Sequence, residues 1–307
     1  MPNLKDIRTR IKSIKNTQKI TQAMRMVAAA KVRKAENHLK QSRPYTQLLE
    51  SMMASVLPEL TRNLGVLKES PYYNVLQPRA VRRVGLLVVA ADRGLCGSYN
   101  SVILKKLNQL LQDYRDKHVN VRLYLVGNKA IRYVAKQHAD LEVLATAHHL
   151  ELPVKYIHAE RAGNKLLQAF LNNQVDRLEV LYTQFNNMVS YEPVHKAILP
   201  LDVESLQAQE TLEDMNEKKG LPSELAFEPD ALSLIEEMIP MYVKRQLYSV
   251  LIESMASELA SRMTAMANAT DNAKGLIHRL TLVYNKARQA AITQEIMEIV
   301  GGAEALK

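Results

Sequence analysis

Sixty consecutive residues, Met241 to Val300, contain no proline and a single glycine, Gly275. A run with so few stop signals predicts one continuous α-helix, about 90 Å long at about 1.5 Å per residue. Helices of ordinary domains run about 8–20 residues, so a rod of this length needs a partner along its side. Steps of seven from Ile252 reach Leu259, Met266, Ala273, Leu280 and Ala287. Steps of seven from Met255 reach Arg262, Ala269, Leu276, Val283, Ala290 and Met297. Apolar residues at all but Arg262 describe a coiled-coil seam, and its alanines let a partner helix approach closely.

A second long helix is predicted over residues 3–57, with Asn3 as N-cap and Asp6 in the first turn. Its stripe starts at Leu4, Ile7, Ile11 and Ile14 and drifts through Ile20, Met24 and Val27 to Val32 and Leu39. Pro44 is expected to bend it and Pro58 to stop it. The economical arrangement pairs the two terminal helices antiparallel, with everything between them as an insertion; pairing in trans, in a homodimer, is the alternative. An aromatic content of 5%, with no Trp, suits coiled coil better than one large globular core.

Between the helices the period changes. Residues 58–83 form a connector with Pro58, Pro71 and Pro78. Strands are predicted at Val84–Ala90, Val121–Val126, Leu141–Ala147, Leu178–Phe185 and His195–Leu201, and helices over 101–114, 129–138 and 159–172. This alternation gives a small α/β, Rossmann-like domain over 84–201 with a mainly parallel sheet. Residues 202–228 form a polar loop or insert, and 229–307 hold the C-terminal helix, which Pro240 should kink or start.

Composition narrows the chemistry. The net charge of +9 lies in residues 1–50, where 12 Lys and Arg face 3 Asp and Glu. A basic rod suits nucleic acid, an acidic membrane surface or an acidic protein partner. One cysteine, Cys96, forbids an internal disulfide and a Cys–His metal cluster. No run of about 20 apolar residues spans a membrane, and MPNLKDIRTR lacks a secretory apolar segment. After the first strand comes Asp92-Arg-Gly-Leu-Cys-Gly-Ser-Tyr-Asn100, where a phosphate loop would stand in a nucleotide enzyme. It has neither G-x-G-x-x-G nor a G-K-[ST] ending. A tight turn needing φ > 0 accounts for Gly94 and Gly97. Cys96 has no base beside it and reads as a structural thiol. No catalytic or metal constellation can be assembled, and no cofactor is expected. Polar residues on the last helix, Arg262, Gln294 and the segment 285–295, read as contact points of a helix threaded through a partner.

Four stretches carry a resemblance: NTQKITQAMRMVAAAKVRK at 16–34, ADRGLCGSYN at 91–100, RMTAMANATDNA at 262–273 and LTLVYNKARQAAITQEIMEIVGGAEAL at 280–306. They resemble the gamma subunit family of F-type ATP synthases, in order and over nearly the whole chain. The resemblance implies an antiparallel coiled coil turning as a central shaft inside three alpha and three beta subunits, which hold the nucleotides. It implies that proton flow through a membrane ring of c subunits drives the shaft, and that the α/β domain is a foot meeting epsilon and that ring. It implies a non-catalytic, peripheral subunit without direct membrane insertion, on the cytoplasmic face of a bacterial plasma membrane or in a thylakoid. By matching motif, Met24 falls where that family's shaft meets the beta lever, an acidic loop, and Lys31 and Arg33 lie in the basic stretch facing it. Arg288, Gln289, Thr293 and Glu295 match polar contacts to the head, as does Arg262 more weakly. Plant members carry a redox cysteine pair before the last helix; residues 202–228 contain no cysteine, which excludes thiol switching there. The rival readings are a basic coiled-coil protein binding nucleic acid, with salt-sensitive affinity, and a nucleotide-dependent α/β enzyme.

Overall fold

The computed structural model describes residues 4–62, 70–77, 79–148, 153–201 and 231–305. Two helices dominate: α1 (Leu4–Arg62) and, at the other end of the chain, a helix from Ala231 to Ala305. Between them come α2 (Tyr73–Leu76), β1 (Arg83–Val89), α3 (Tyr99–Asp116), β2 (Asn120–Val126), α4 (Asn128–Gln137), β3 (Glu142–Ala147), α5 (Tyr156–Leu171), β4 (Arg177–Phe185) and β5 (Tyr191–Leu199), which makes the last helix α6. Asn3, Pro229 and the segment 202–228 lie outside the described residues. The chain divides into two compact units, one of Met1–Ala30 with Arg262–Lys307, the other Lys31–Ser261.

Pro58 does not stop α1, which continues to Arg62, and α6 runs through Pro240. A proline costs a helix interior about 3 kcal/mol. Fully burying one large apolar side chain returns about 1.5–3 kcal/mol. Leu49, Met53 and Leu57 on α1, and Met238, Ile239 and Val243 on α6, are all buried and outweigh the prolines.

In the unit Lys31–Ser261 the two helices pair within one chain. As α1 numbers rise, α6 numbers fall: His38 meets Tyr248 and Thr46 meets Arg245. The helices are therefore antiparallel, as expected. In the terminal unit the hydroxyls of Thr21 and Thr270 lie 2.8 Å apart and share a hydrogen bond.

The seam keeps a strict heptad register on α1 and does not drift. Its two lines are Ile7, Ile14, Thr21, Ala28, Ala35, Ser42 and Leu49, and Ile11, Gln18, Arg25, Val32, Leu39, Thr46 and Met53; Arg25 alone is exposed. Ile20 and Val27, assigned above to the stripe, are 61% and 55% exposed. On α6 the line through Ile252, Leu259, Met266 and Ala273 is buried as expected. The second line lies one residue further on, at Ala256, Met263, Thr270, Ile277 and Tyr284, and Val283 and Met297 face outward. The geometry of facing helices selects positions by spacing, not by bulk, and Thr21 and Thr270 enter the seam because each satisfies the other.

The α/β part of the larger unit is a sheet in the order β3-β2-β1-β4-β5. The first four strands are parallel and β5 pairs antiparallel with β4. β1 sits at the centre, and its side chains alternate between two cores as a strand's must. Val84, Leu86 and Val88 pack with α3 and α4 through Ile103, Leu107, Ala130 and Val134. Leu87 and Val89 belong to the opposite core, with Ala159, Leu166 and Phe170 of α5 and with both long helices.

Asp176, just before β4, ties the start of that strand to β1. It accepts from the backbone amides of Arg82 and Arg83 at 3.2 and 2.9 Å and pairs with Arg83 at 3.0 Å and Arg79 at 3.1 Å. Burial opposes its ionisation, but the Arg83 hydrogen bond, the Arg82 amide and the two guanidinium charges hold its carboxyl below the usual range. A carboxyl depressed on folding stabilises the fold above its unfolded pKa and loses that contribution as pH falls through its lower folded value. Urea midpoints are thus expected to be flat near neutrality and to fall below about pH 4. Asp176→Asn should lower the neutral plateau and flatten that acid limb; an acid limb of unchanged steepness would remove Asp176 as its source.

Candidate functional site

In an open α/β sheet the ligand crevice lies beyond the strand ends where the order reverses, here β1 and β4. The chain's own residues fill that place. The loop after β1 is closed on itself: Asn100 Oδ1 accepts from the Ala91 amide at 3.0 Å, Asn100 Nδ2 donates to Cys96 Sγ at 3.1 Å, and Asp92 Oδ1 accepts from the Asn128 amide at 3.0 Å. The first amide of α3, on Tyr99, is spent on the Cys96 carbonyl. Gly97 has φ +54°, as expected, but Gly94 does not; Leu95 takes the second left-handed position at φ +63°. Cys96 is buried, in keeping with a structural thiol.

Helix α6 lies over the same strand ends. Ser254, Ser257, Glu258 and Ser261, spaced along one face, are all buried. Ser257 Oγ donates to the Thr183 carbonyl at 3.1 Å and Ser261 Oγ to the Cys96 carbonyl at 2.7 Å. Thr183 stands opposite Pro193, which has no amide hydrogen to give. Burial pushes the Tyr99 hydroxyl far above its ordinary pKa, and the Glu258 charge adds to the shift.

Two other polar groups lie in the larger unit. Glu179, 2% exposed, accepts from Tyr114 Oη, lies 2.5 Å from His195 Nε2 and pairs with Arg177 at 3.2 Å. Burial opposes its charge, but the hydrogen bonds from His195 and Tyr114 prevail and hold it low. A cavity of about 520 Å³ is lined by Ser42, Thr46, Glu50, Gln246, Ser249 and Glu253, among others. Burial raises the Glu253 carboxyl. Among the described residues no group of His, Cys, Asp and Glu could hold a metal, and no helix is long and apolar enough to cross a membrane.

The terminal unit offers a different surface. Seventeen residues separate Thr21 from Leu4, and seventeen forward of Thr270 lies Ala287. Residues 288–305 of α6 therefore continue past the start of α1 without it. Ile292, Ile296, Met297, Ile299 and Val300 are exposed there. Arg288, Gln289, Thr293 and Glu295 are exposed on the same stretch, Thr293 Oγ1 donating to the Gln289 carbonyl at 2.9 Å. Gln294 is exposed too and donates to Glu298 at 3.0 Å. Met24 and Arg262 are half-buried beside the seam, not on its buried lines. Lys31 and Arg33 belong to the other unit, exposed on either side of buried Val32. Arg245, 6% exposed, escaped sequence reasoning although it stands seven residues before Ile252 on the seam line.

Two long terminal helices and a sheet whose crevice holds the chain's own side chains define a long-helix protein with an inserted α/β domain. A family model described as ATP synthase matches residues 3–306. The ATP synthase gamma chain of Cyanothece sp. is 44% identical over 323 aligned residues, covering all of both chains. That of Acaryochloris marina is 43% identical over 324, again covering both. Among solved structures, a central stalk and c-ring of the Tetrahymena thermophila mitochondrial ATP synthase has a TM-score of 0.58 at 25% identity, covering 81% of this chain and 99% of its own. The rotor of the Euglena gracilis mitochondrial enzyme has a TM-score of 0.58 at 18% identity, covering 94% and 98%. The chain belongs to the ATP synthase gamma chain family.

Proposed function

We propose that this chain is the turning shaft of a rotary ATP synthase, carrying rotation of a proton-driven membrane ring into a head of three alpha and three beta subunits. The observation that carries this reading is the end of α6, a helix with apolar and polar side chains exposed around it and no partner among the described residues. Such a helix suits a close-fitting sleeve. Family membership and the central-stalk neighbours support the same reading.

The shaft does no chemistry of its own in this proposal; the filled crevice supports that. It works by contact. A rotor biases the nucleotide states of the sites around it only by the difference in its contact energy with each. A lopsided surface that turns therefore drives the sites through their states in sequence. Met24, Arg262, Arg288, Gln289, Thr293 and Glu295 are the proposed contacts to the head from the terminal unit, and Lys31 and Arg33 those from the basic stretch. The α/β domain would meet an epsilon subunit and the ring of c subunits, at the membrane periphery.

The direct test is co-purification: one copy of this chain should come down with three alpha and three beta subunits. Recovery alone, or with nucleic acid released by salt, would defeat the proposal. Reversing the exposed charges at Lys31, Arg33 and Lys34 to Glu should weaken attraction to an acidic lever and lower coupled ATPase activity by about tenfold, the effect of about 1.4 kcal/mol. The chain's own melting temperature should hardly change, because these side chains are exposed. Undiminished coupled activity would exclude the basic stretch as a lever contact.

A further inference from the structure

One layer of the helix pair in the unit Lys31–Ser261 is polar throughout. Ser42 and Thr46 occupy the two seam lines of α1, and Arg245 faces them from the seam line of α6. Arg245 Nε donates to Thr46 Oγ1 at 2.8 Å and its Nη2 to the Ser42 carbonyl. The guanidinium also lies over two rings, 5.4 Å from the centre of Tyr45 and 5.3 Å from that of Tyr248. Tyr248 in turn touches His38 at 3.1 Å and donates to the Val154 carbonyl. One cation thus joins both long helices and, through Tyr248, the segment before α5.

Both helices are weakened nearby. Pro44 lies between Ser42 and Thr46, and Pro240 five residues before Arg245; each removes a backbone hydrogen bond. Twisting a rod of two side-by-side helices makes one slide along the other. An apolar seam resists separation but resists sliding poorly, since the hydrophobic effect has no direction. A fork of hydrogen bonds does have direction, and a polar seam residue fixes register.

We propose that Arg245 is a positioning residue for torque transmission: it locks α1 to α6 against sliding where prolines soften both. This rests on the chain turning as a rotor. The test uses the complete rotary complex with a probe carried by the shaft, whose angular fluctuations report torsional stiffness. Arg245→Met keeps the length of the side chain and loses every donor. It should halve the stiffness, about a twofold rise in angular variance, as directional bonds are lost. Thr46→Val removes one acceptor with little change of volume and should give a smaller rise. The double variant should be no softer than Arg245→Met alone, because both changes break one linkage. Melting temperature, read in parallel, reports the packing contribution that a merely structural residue would make. Lower melting with unchanged variance overturns the proposal, and so does an additive double variant. If Arg245→Met prevents assembly, Thr46→Val decides alone: a raised variance supports the lock and an unchanged one overturns it. A complex that turns with unaltered variance counts against the lock only; one in which this chain does not turn counts against the rotor.

Discussion

Gly127→Val is expected to cost the fold about 4 kcal/mol or more, a large part of the roughly 5–15 kcal/mol that holds a domain together. Gly127 follows β2 with φ +93°, a backbone that side-chain-bearing residues rarely adopt. A Cβ there would stand 2.0 Å from the Ala90 carbonyl oxygen and 2.7 Å from its carbon. Those atoms cannot step aside. The Ala90 amide bonds the Val126 carbonyl at 2.9 Å, and the Gly127 amide bonds the Ala147 carbonyl at 2.8 Å. Three strands are thus sewn together around one missing side chain. Urea denaturation and soluble yield measure the effect. Gly275→Ala is the control: nothing lies within 4 Å of a Cβ at that position, inside α6. Alanine should raise stability there by about 0.5–1 kcal/mol. Equal midpoints for Gly127→Val and the natural chain would refute the close approach.

Ser257→Leu is expected to cost about 3 kcal/mol, and Ser257→Ala only about 1 kcal/mol. Ser257 is fully buried against β4, and its hydroxyl serves a carbonyl that Pro193 cannot. Leucine adds volume at a fully buried position and leaves the Thr183 carbonyl without its donor. Both terms act on the contact that keeps the crevice shut. Should leucine prove neutral by urea midpoint, the crevice has room and α6 does not fill it.

Most of the architecture was written in periodicity. The β1 run of buried β-branched and aliphatic residues and the unbroken stretch after Met241 each point to one element, because nothing in them competes. The register of the seam was harder. Ile20 and Val27 are bulky and drew the stripe outward, while Gln18, Thr21 and Ala28 hold the true line. Polar residues in a seam become legible only when both partners are seen, as with Thr21 and Thr270. Arg245 was hidden for the same reason: its acceptors lie some two hundred residues away. The two glycines of the β1 loop looked alike in sequence, yet only Gly97 is left-handed, since Leu95 absorbs the other turn. The antiparallel β5 gave no signal of direction, because alternation along a strand is the same both ways.

The bare end of α6 has a consequence for how the molecule is made. A single helix that shows Ile292, Ile296, Ile299 and Val300 to water offers neighbouring copies an adhesive surface. Under the proposed function head subunits cover this end, so a cell that makes the chain in excess of them accumulates material prone to clump. Under that proposal its output is best matched to that of the head subunits, so that each newly made end is covered soon after synthesis.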